Sequence, residues 1–160
     1  MAPRRPRVYV YDPKIPEVQQ LCQGASFCGK GQWGMEVHFH EWLMASPHLT
    51  FNAAEADLFF VPAYSICMFE GGFFKIDELD EKYKDLVRAL PYFARNGGRD
   101  HIFTFGSGMS ANLFRSWREE IPNSVFLTPE TWLFNDFPSI VEPCFNTWKD
   151  VAIPGYLHRH

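Results

Sequence analysis

Two groups of residues in this chain have types and spacings that could support chemistry. Arg99, Asp100 and His101 follow one another directly before a short apolar run. An acid beside an imidazole can serve general acid–base catalysis, but the same three residues could instead form ion pairs and satisfy loop amides. Glu36 and His40 are four residues apart, which would place both side chains on one face of a helix.

The spacing of Glu36 and His40 is compatible with metal binding, but the sequence offers no third ligand to complete such a site. A hydrogen bond, either on the helix surface or inside the protein, is therefore the favoured interpretation. We predict no metal site in this chain.

The elements that must position these residues follow from the pattern of apolar runs. Helical patterns lie between short runs that are apolar throughout, as is typical of strands covered on both faces. Strands alternating with helices predict an α/β fold, a Rossmann-like parallel sheet with flanking helices. The predicted strands are residues 8–11, 58–61, 102–105, 125–127 and 151–153, and the predicted helices are 34–45, 77–90 and 110–121, with a capping box at 52–55.

Two of these helices carry specific expectations. In the first, residues 34–45, the spacing predicts that Met35, Phe39, Trp42 and Leu43 form one inward stripe. The third, residues 110–121, is predicted to be continuous and to begin at Ser110 as its N-cap.

The strand order along the chain also sorts the candidate site residues. In open parallel sheets, ligands bind beyond the carboxyl ends of the strands. The predicted strands are followed by six residues that could do chemistry or bind hydroxyl groups: Asp12, Tyr64, Ser107, Glu130, Trp132 and His158. Arg99, Asp100 and His101 instead precede their strand, on the side away from the cleft, which favours a structural role for them.

Several of these candidates have a second interpretation. The turn Gly106-Ser107-Gly108 could hold a phosphate with backbone amides, but it lacks both nucleotide-binding fingerprints, so a tight strand-to-helix turn is favoured. Glu130 could be a general base or could cap a loop or helix. Ser107 has no nucleophile-elbow pattern around it, which argues against hydrolase chemistry.

Length and composition limit the function classes. The 160 residues are enough for one domain, and the net charge of −4 argues against a nucleic-acid binder. No apolar run reaches the roughly 18 residues of a membrane helix, and the start of the chain lacks a signal peptide. We therefore expect either a soluble cytosolic protein or an anchor upstream of this sequence.

Cysteine usage leaves the redox compartment open. Cys22 and Cys28 lie in a glycine-containing loop and could form a small disulfide if the compartment is oxidising. Cys67 and Cys144 are expected to be buried thiols.

Ordered sequence blocks resemble a known family, the exostosin-like glycosyltransferases of plants and algae. The resemblance covers about residues 8–156 and matches the N-terminal half of the family's domain. The blocks, in order, are VYVYDPKIP, QWGMEVHFHEWLMASPHLTFNAAEADLFFVPAY, LPYFARNGGRDHIFTF, NSVFLTPE and KDVAIPGY. The turn GSGMSAN departs from the usual continuation of the family after its strand.

The resemblance implies a GT-B architecture, in which two Rossmann-like domains face a cleft. Residues 1–7 would be a leader, and residues 8–160 the N-terminal, acceptor-side domain, truncated before the donor-binding domain. Family members are inverting transferases that use nucleotide sugars, with a UDP-sugar as the expected donor, and that build polysaccharides or protein glycans. They act in the Golgi, usually behind an N-terminal membrane anchor. The fragment alone would be inactive.

The resemblance also implies roles for site residues. The base that deprotonates the acceptor is predicted to be Glu130 or, second, Asp12. Tyr64, Ser107 and Trp132 are predicted to bind the acceptor glycan. Arg99, Asp100 and His101 would be a structural motif of the family. No cofactor is expected in this part of the enzyme, nor any nucleic acid partner.

Two other function classes compete with the transferase. One is a non-catalytic module that binds a carbohydrate or a partner protein and has kept the fold. The other is a generic nucleotide-binding domain.

Overall fold

The computed structural model describes residues 4–31, 33–107, 110–129 and 145–155. The strands within these residues are β1 Val8–Val10, β2 Leu49–Thr50, β3 Leu58–Val61, β4 His101–Thr104, β5 Val125–Thr128 and β6 Val151–Ala152. They form one parallel sheet in the order β2-β1-β3-β4-β5-β6. The predicted α/β Rossmann-like parallel sheet with flanking helices is confirmed.

Helices connect β1 to β2, β3 to β4 and β4 to β5, as is usual between parallel strands. Those in the described part of the chain are α1 Pro16–Leu21, α2 Ala25–Cys28, α3 Met35–Met44, α4 Ser65–Glu70, α5 Ile76–Ala89, α6 Ser110–Leu113 and α7 Trp117–Glu120. Short 3₁₀ turns occupy Ala53–Glu55 and Phe93–Asn96. The Asn52 side chain caps the first of these turns by accepting from the Ala54 amide.

The two faces of the sheet carry separate cores, because successive side chains along a strand point to opposite faces. On one face, Phe59, Phe103 and Phe126 pack in a large core with residues of α1, α4 and α5. On the other, Phe60, Ile102 and Leu127 pack in a smaller core with Leu43 of α3. Both cores hold the short strands in place and fix where their carboxyl ends lie.

The predicted inward stripe on α3 is partly wrong. Met35 and Leu43 are buried, but Trp42 is 57% exposed, whereas Glu36 and Val37 are buried instead. The reason is that α3 buries two adjacent sides, with Leu43 against the sheet and Val37 in the larger core. A periodicity argument that assumes one buried stripe cannot identify the second side.

The predicted continuous helix over residues 110–121 is also wrong, since α6 and α7 are separate short helices. A contact from α5 accounts for the break. The Asp80 carboxylate accepts hydrogen bonds of 2.8 Å from both the amide and the hydroxyl of Ser116, which caps α7 from outside. The side chain of Ser110, the predicted N-cap, lies outside the described residues.

The disulfide of this structure joins Cys28 of α2 to Cys67 of α4. The Cys22–Cys28 pairing that the sequence left open is therefore not formed, and the prediction that Cys67 is a free buried thiol is wrong. Cys22 keeps its thiol, which donates to the Pro62 carbonyl at 3.5 Å. The helices α2 and α4 pack against one another, which brings together two cysteines that are 39 residues apart in sequence. Cys144 lies outside the described residues.

Removing the disulfide should destabilise the domain substantially. The crosslinked residues are 39 apart in sequence, and closing a loop of that length contributes about 4 kcal/mol in the chain-entropy account. The double variant Cys28→Ser/Cys67→Ser should lose about this much free energy of unfolding, measured by urea denaturation. Cys22→Ser is the control and should change stability by less than about 1 kcal/mol, because a serine hydroxyl can also donate to Pro62. An unchanged urea midpoint in the double variant would contradict the pairing.

No helix among the described residues is long and apolar enough to cross a bilayer.

Candidate functional site

The strand order creates a crevice beyond the carboxyl ends of the strands. The chain runs from β1 to β2 on one side and then returns to β3 on the other side of β1. Ligands of open parallel sheets bind at such a switch point, beyond the carboxyl ends of the strands. Here Tyr11 and Asp12 follow β1, and Pro62, Ala63 and Tyr64 follow β3.

A cavity of about 440 Å³ lies at the carboxyl ends of the strands, beside β1. Tyr11, Asp12 and Pro13 line it from the loop after β1, His40 from α3 and Phe51 from the residue after β2. The Asp12 side chain is exposed, and its Oδ1 accepts a 2.8 Å hydrogen bond from the Lys14 amide. This contact fixes the turn, so that the carboxylate is held at the mouth of the cavity.

His40 is the second polar group of the cavity. Its Nδ1 lies 2.7 Å from the Tyr64 hydroxyl, and burial lowers the pKa of the imidazole, which favours its neutral form. Burial raises the pKa of Tyr64, so the phenol keeps its proton and can donate it to Nδ1. In that tautomer the imidazole carries its hydrogen on Nε2, which leaves a donor for a ligand hydroxyl.

Tyr64 itself is 5% exposed. A ring this deeply packed has no free face for stacking on a sugar, and the predicted contact of Tyr64 with the acceptor stays a prediction. Its contact with the cavity is instead indirect, through the hydrogen bond to His40.

Glu36 is a fully buried carboxyl group that joins three parts of the fold. Its Oε1 accepts from the Ser65 hydroxyl at the start of α4 and from the Gly106 amide after β4, both at 2.9 Å. Burial raises the pKa of this carboxyl to about 8, although these hydrogen bonds favour its charged form. Glu36 and His40 thus have different partners, in agreement with the hydrogen-bond interpretation of their spacing.

The turn after β4 is shaped by this carboxyl group. A Cβ at position 106 would lie 3.1 Å from both Glu36 Cγ and Ile66 Cγ2, so a glycine allows the close approach. The Gly106 amide is bonded inside the protein rather than aimed at a ligand, as expected of a tight turn. Ser107 is buried at 3% exposure, and its predicted contact with the acceptor stays a prediction.

Asp100 and His101 lie at the amino end of β4 and are buried. The Asp100 carboxylate accepts from His101 Nδ1 at 2.8 Å, and its other oxygen lies 3.1 Å from Arg95 Nη2. His101 Nε2 is 2.8 Å from the Tyr11 hydroxyl. Because a carboxylate only accepts, Nδ1 carries the imidazole hydrogen, and Tyr11 donates to Nε2. Arg99 is exposed.

These hydrogen bonds form a chain from the amino end of the sheet to the cavity wall. Arg95, which sequence reasoning did not single out, takes the ion-pair role expected of Arg99. The signal that could have found Arg95 is weak, since it lies five residues before Asp100 in a 3₁₀ turn. Tyr11, the last member, lines the cavity beside Asp12.

The comparison with protein families decides what this fold is. The Exostosin GT47 domain matches residues 2–160, which is almost the whole chain. This chain belongs to the Exostosin GT47 family. No solved structure matches it significantly.

Curated plant relatives of this GT47 domain carry transferase names. A probable glucuronoxylan glucuronosyltransferase of Arabidopsis thaliana is 28% identical over 94% of this chain and 34% of its own length. A second protein of the same plant with the same descriptive name is 29% identical over 94% of this chain and 36% of its own length. A probable glucuronosyltransferase of Oryza sativa subsp. japonica is 35% identical over 61% of this chain and 24% of its own length. The chain thus spans a quarter to about a third of these relatives.

The geometry of the GT47 domain brings some predicted site residues together and leaves others aside. Asp12 lies at the cavity, and Tyr64 reaches it through His40. Glu130, Trp132 and His158 fall outside the described residues, so their predicted roles stay predictions. Among residues 4–31, 33–107, 110–129 and 145–155, no three His, Cys, Asp or Glu side chains form a metal-binding group.

Proposed function

We propose that this GT47 domain is the acceptor-side half of an inverting glycosyltransferase that transfers a sugar from a nucleotide sugar to a polysaccharide. The observation that carries the proposal is the cavity at the switch point, which Asp12 and His40 both line, in a domain that belongs to this family. The transferase names of the plant relatives support a glycan acceptor.

The reaction needs a base near the acceptor hydroxyl. Asp12 removes the proton of that hydroxyl, whose oxygen then attacks the anomeric carbon while the nucleoside diphosphate leaves from the opposite face. One bond forms and one breaks in a single displacement, so the anomeric configuration inverts. The Nε2 hydrogen of His40 can hold an acceptor oxygen in place during this step. Glu130 is the alternative base.

The donor in this proposal is a UDP-sugar bound by a second domain. Diphosphate departure is favoured by helix N-termini and basic side chains, as in other electrostatic stabilisation of a developing charge. The residues of this chain would therefore bind and activate the acceptor, and the 160-residue chain alone would not turn over.

A secretory location also belongs to the proposal. Disulfides persist in oxidising compartments and are rare in the cytosol. The Cys28–Cys67 bond therefore supports action in the Golgi lumen rather than in the cytosol.

The product of the complete gene, secreted from a eukaryotic host, tests this function. We expect it to transfer sugar from UDP-glucuronic acid or UDP-xylose to xylo-oligosaccharides, with an inverted anomeric configuration visible by NMR. The 160-residue chain alone serves as the matched control and should show no transfer. A folded gene product that transfers no sugar from any nucleotide sugar to any glycan would refute the proposal.

A further inference from the structure

Two cavities of the domain meet at the same pair of aromatic side chains. The cavity that holds Asp12 is lined on one side by Tyr9 and Phe51. A second cavity, of about 470 Å³, is also lined by Tyr9 and Phe51, and further by Tyr92 and Arg95. Because the two cavities share these residues, they adjoin one another, and we treat them as one surface that runs from the switch point past β2 to the 3₁₀ turn before β4. We call this surface the edge groove.

Phe51 lies between the two cavities and is 84% exposed. It directly follows the two-residue edge strand β2, whose second residue, Thr50, is buried. A ring of this exposure contributes little to the core, and its face is free to contact a ligand. Its ring can lie against the apolar C–H face of a pyranose.

The rest of the lining combines aromatic rings with hydrogen-bonding groups. The first cavity offers the Asp12 carboxylate and the His40 imidazole, and the second offers the Asn52 amide and the Tyr92 ring. Sugars present apolar C–H faces and a rim of hydroxyl groups, so this mixture fits them. A lining of few polar groups among aromatic ones is also typical of small-molecule sites.

The walls of the edge groove are held by contacts inside the domain. Tyr9 packs edge-to-face on Tyr92 with ring centroids 5.6 Å apart. The Arg95 guanidinium lies 4.5 Å from the centre of the Phe59 ring and donates to the carbonyls of Ala53 and Ala56 and to Asp100. A groove with fixed walls loses little conformational freedom when a ligand binds.

We propose that the edge groove binds a stretch of the polysaccharide acceptor beyond the reacting sugar, with at least one pyranose unit in each cavity and Phe51 stacked on a sugar ring. This inference rests on the proposed function, since it assigns the acceptor of the same site. A polymeric acceptor extends past the reacting hydroxyl, and the edge groove begins at the cavity that contains the proposed base.

Another cavity, of about 370 Å³ between α3 and the end of β6, fits a glycan less well. It is lined chiefly by apolar side chains, among them Met35, Phe39 and Trp42. It therefore serves as a control surface with its own exposed aromatic residue, Trp42, at 57% exposure.

Binding of xylobiose and xylohexaose to the complete gene product, measured by calorimetry without a donor, tests the edge groove. Xylohexaose is the probe because the two relatives from Arabidopsis thaliana are named as glucuronoxylan glucuronosyltransferases. We expect the hexasaccharide to bind more tightly than the disaccharide, and Phe51→Ala to weaken hexasaccharide binding about tenfold. Phe51→Tyr, which keeps the ring, should bind as the wild type does. Phe27→Ala and Trp42→Ala, at exposed aromatic positions elsewhere, should change nothing.

The outcomes separate the groove from the function. If the hexasaccharide binds equally well to Phe51→Ala, or if no xylo-oligosaccharide binds at all, the edge groove is refuted whatever the transferase assay shows. If binding depends on Phe51 but the gene product transfers no sugar, the edge groove stands and the proposed function fails. The domain would then be a carbohydrate-binding module.

Discussion

Replacing Asp12 by Asn should lower the kcat of the complete gene product by about 10² to 10⁴-fold, the range that general base catalysis contributes. The change removes the negative charge and the proton-accepting capacity of the group and almost nothing else. The Asn oxygen can still accept from the Lys14 amide, as Asp12 Oδ1 does at 2.8 Å. The loop after β1 should therefore keep its shape, and the KM for the nucleotide sugar should stay close to the wild-type value.

The matched control for this change is Asp85→Asn. Asp85 is an exposed carboxylate on α5 with a 3.7 Å pairing to Arg88, so the variant has the same change of net charge at a residue that does not line the cavity. Its kcat should remain within about twofold of the wild type, as for a surface substitution away from special features. A kcat for Asp12→Asn within about threefold of the wild type would exclude Asp12 as the base, since a general base contributes far more, and would leave Glu130 as the candidate.

Glu36 should make the stability of the domain fall as the pH rises through the neutral range. Burial raises the pKa of its carboxyl from 4.5 to about 8 in the folded protein. Between these two values the folded state holds a proton that the unfolded state has released. The stabilisation is therefore complete below about pH 4.5, declines by about 1.4 kcal/mol for each pH unit above it, and is lost by about pH 8.

Urea denaturation of the domain at several pH values between about 5 and 8 measures this slope. Glu36→Gln should remove the contribution of Glu36 to this slope, because glutamine is shaped like the protonated acid and does not ionise. Glu41→Gln, on an exposed position of the same helix, should retain the wild-type slope. If the wild type and Glu36→Gln depend on pH in the same way, the carboxyl of Glu36 titrates at an ordinary pKa and the buried-acid account fails.

How much of the fold the sequence predicts depends on how each element is buried. Helix α5 was predicted well because only one side of it packs, with Leu79, Tyr83 and Leu86 inward, and one-sided burial produces a clear period. Helix α4 was missed because its first four residues, Ser65–Met68, are all buried. The sequence therefore shows no alternation of apolar and polar residues at helical spacing there. Strand β2 was missed because two residues are too few to form a pattern.

The candidate site divides in a similar way. The rule for parallel sheets places Asp12 correctly at the carboxyl edge, because it needs only the order of strands and loops. The partner of His40 is a tyrosine 24 residues away, and the partner of Cys28 is a cysteine 39 residues away. Such pairings depend on how helices pack, which sequence spacing does not encode.

The hydrogen-bonded chain from Arg95 through Asp100 and His101 to Tyr11 has a consequence for genetics. Its first members lie at the amino end of β4, whereas its last member, Tyr11, lines the cavity next to Asp12. A loss-of-function screen would therefore find substitutions at Asp100 as readily as substitutions at the residues proposed to bind the acceptor. The first kind should weaken the fold, and the second kind should weaken catalysis or binding. We therefore expect substitutions at Asp100 to act by weakening the fold, so that a lower growth temperature should restore part of the activity, whereas it should not restore the activity of Asp12→Asn.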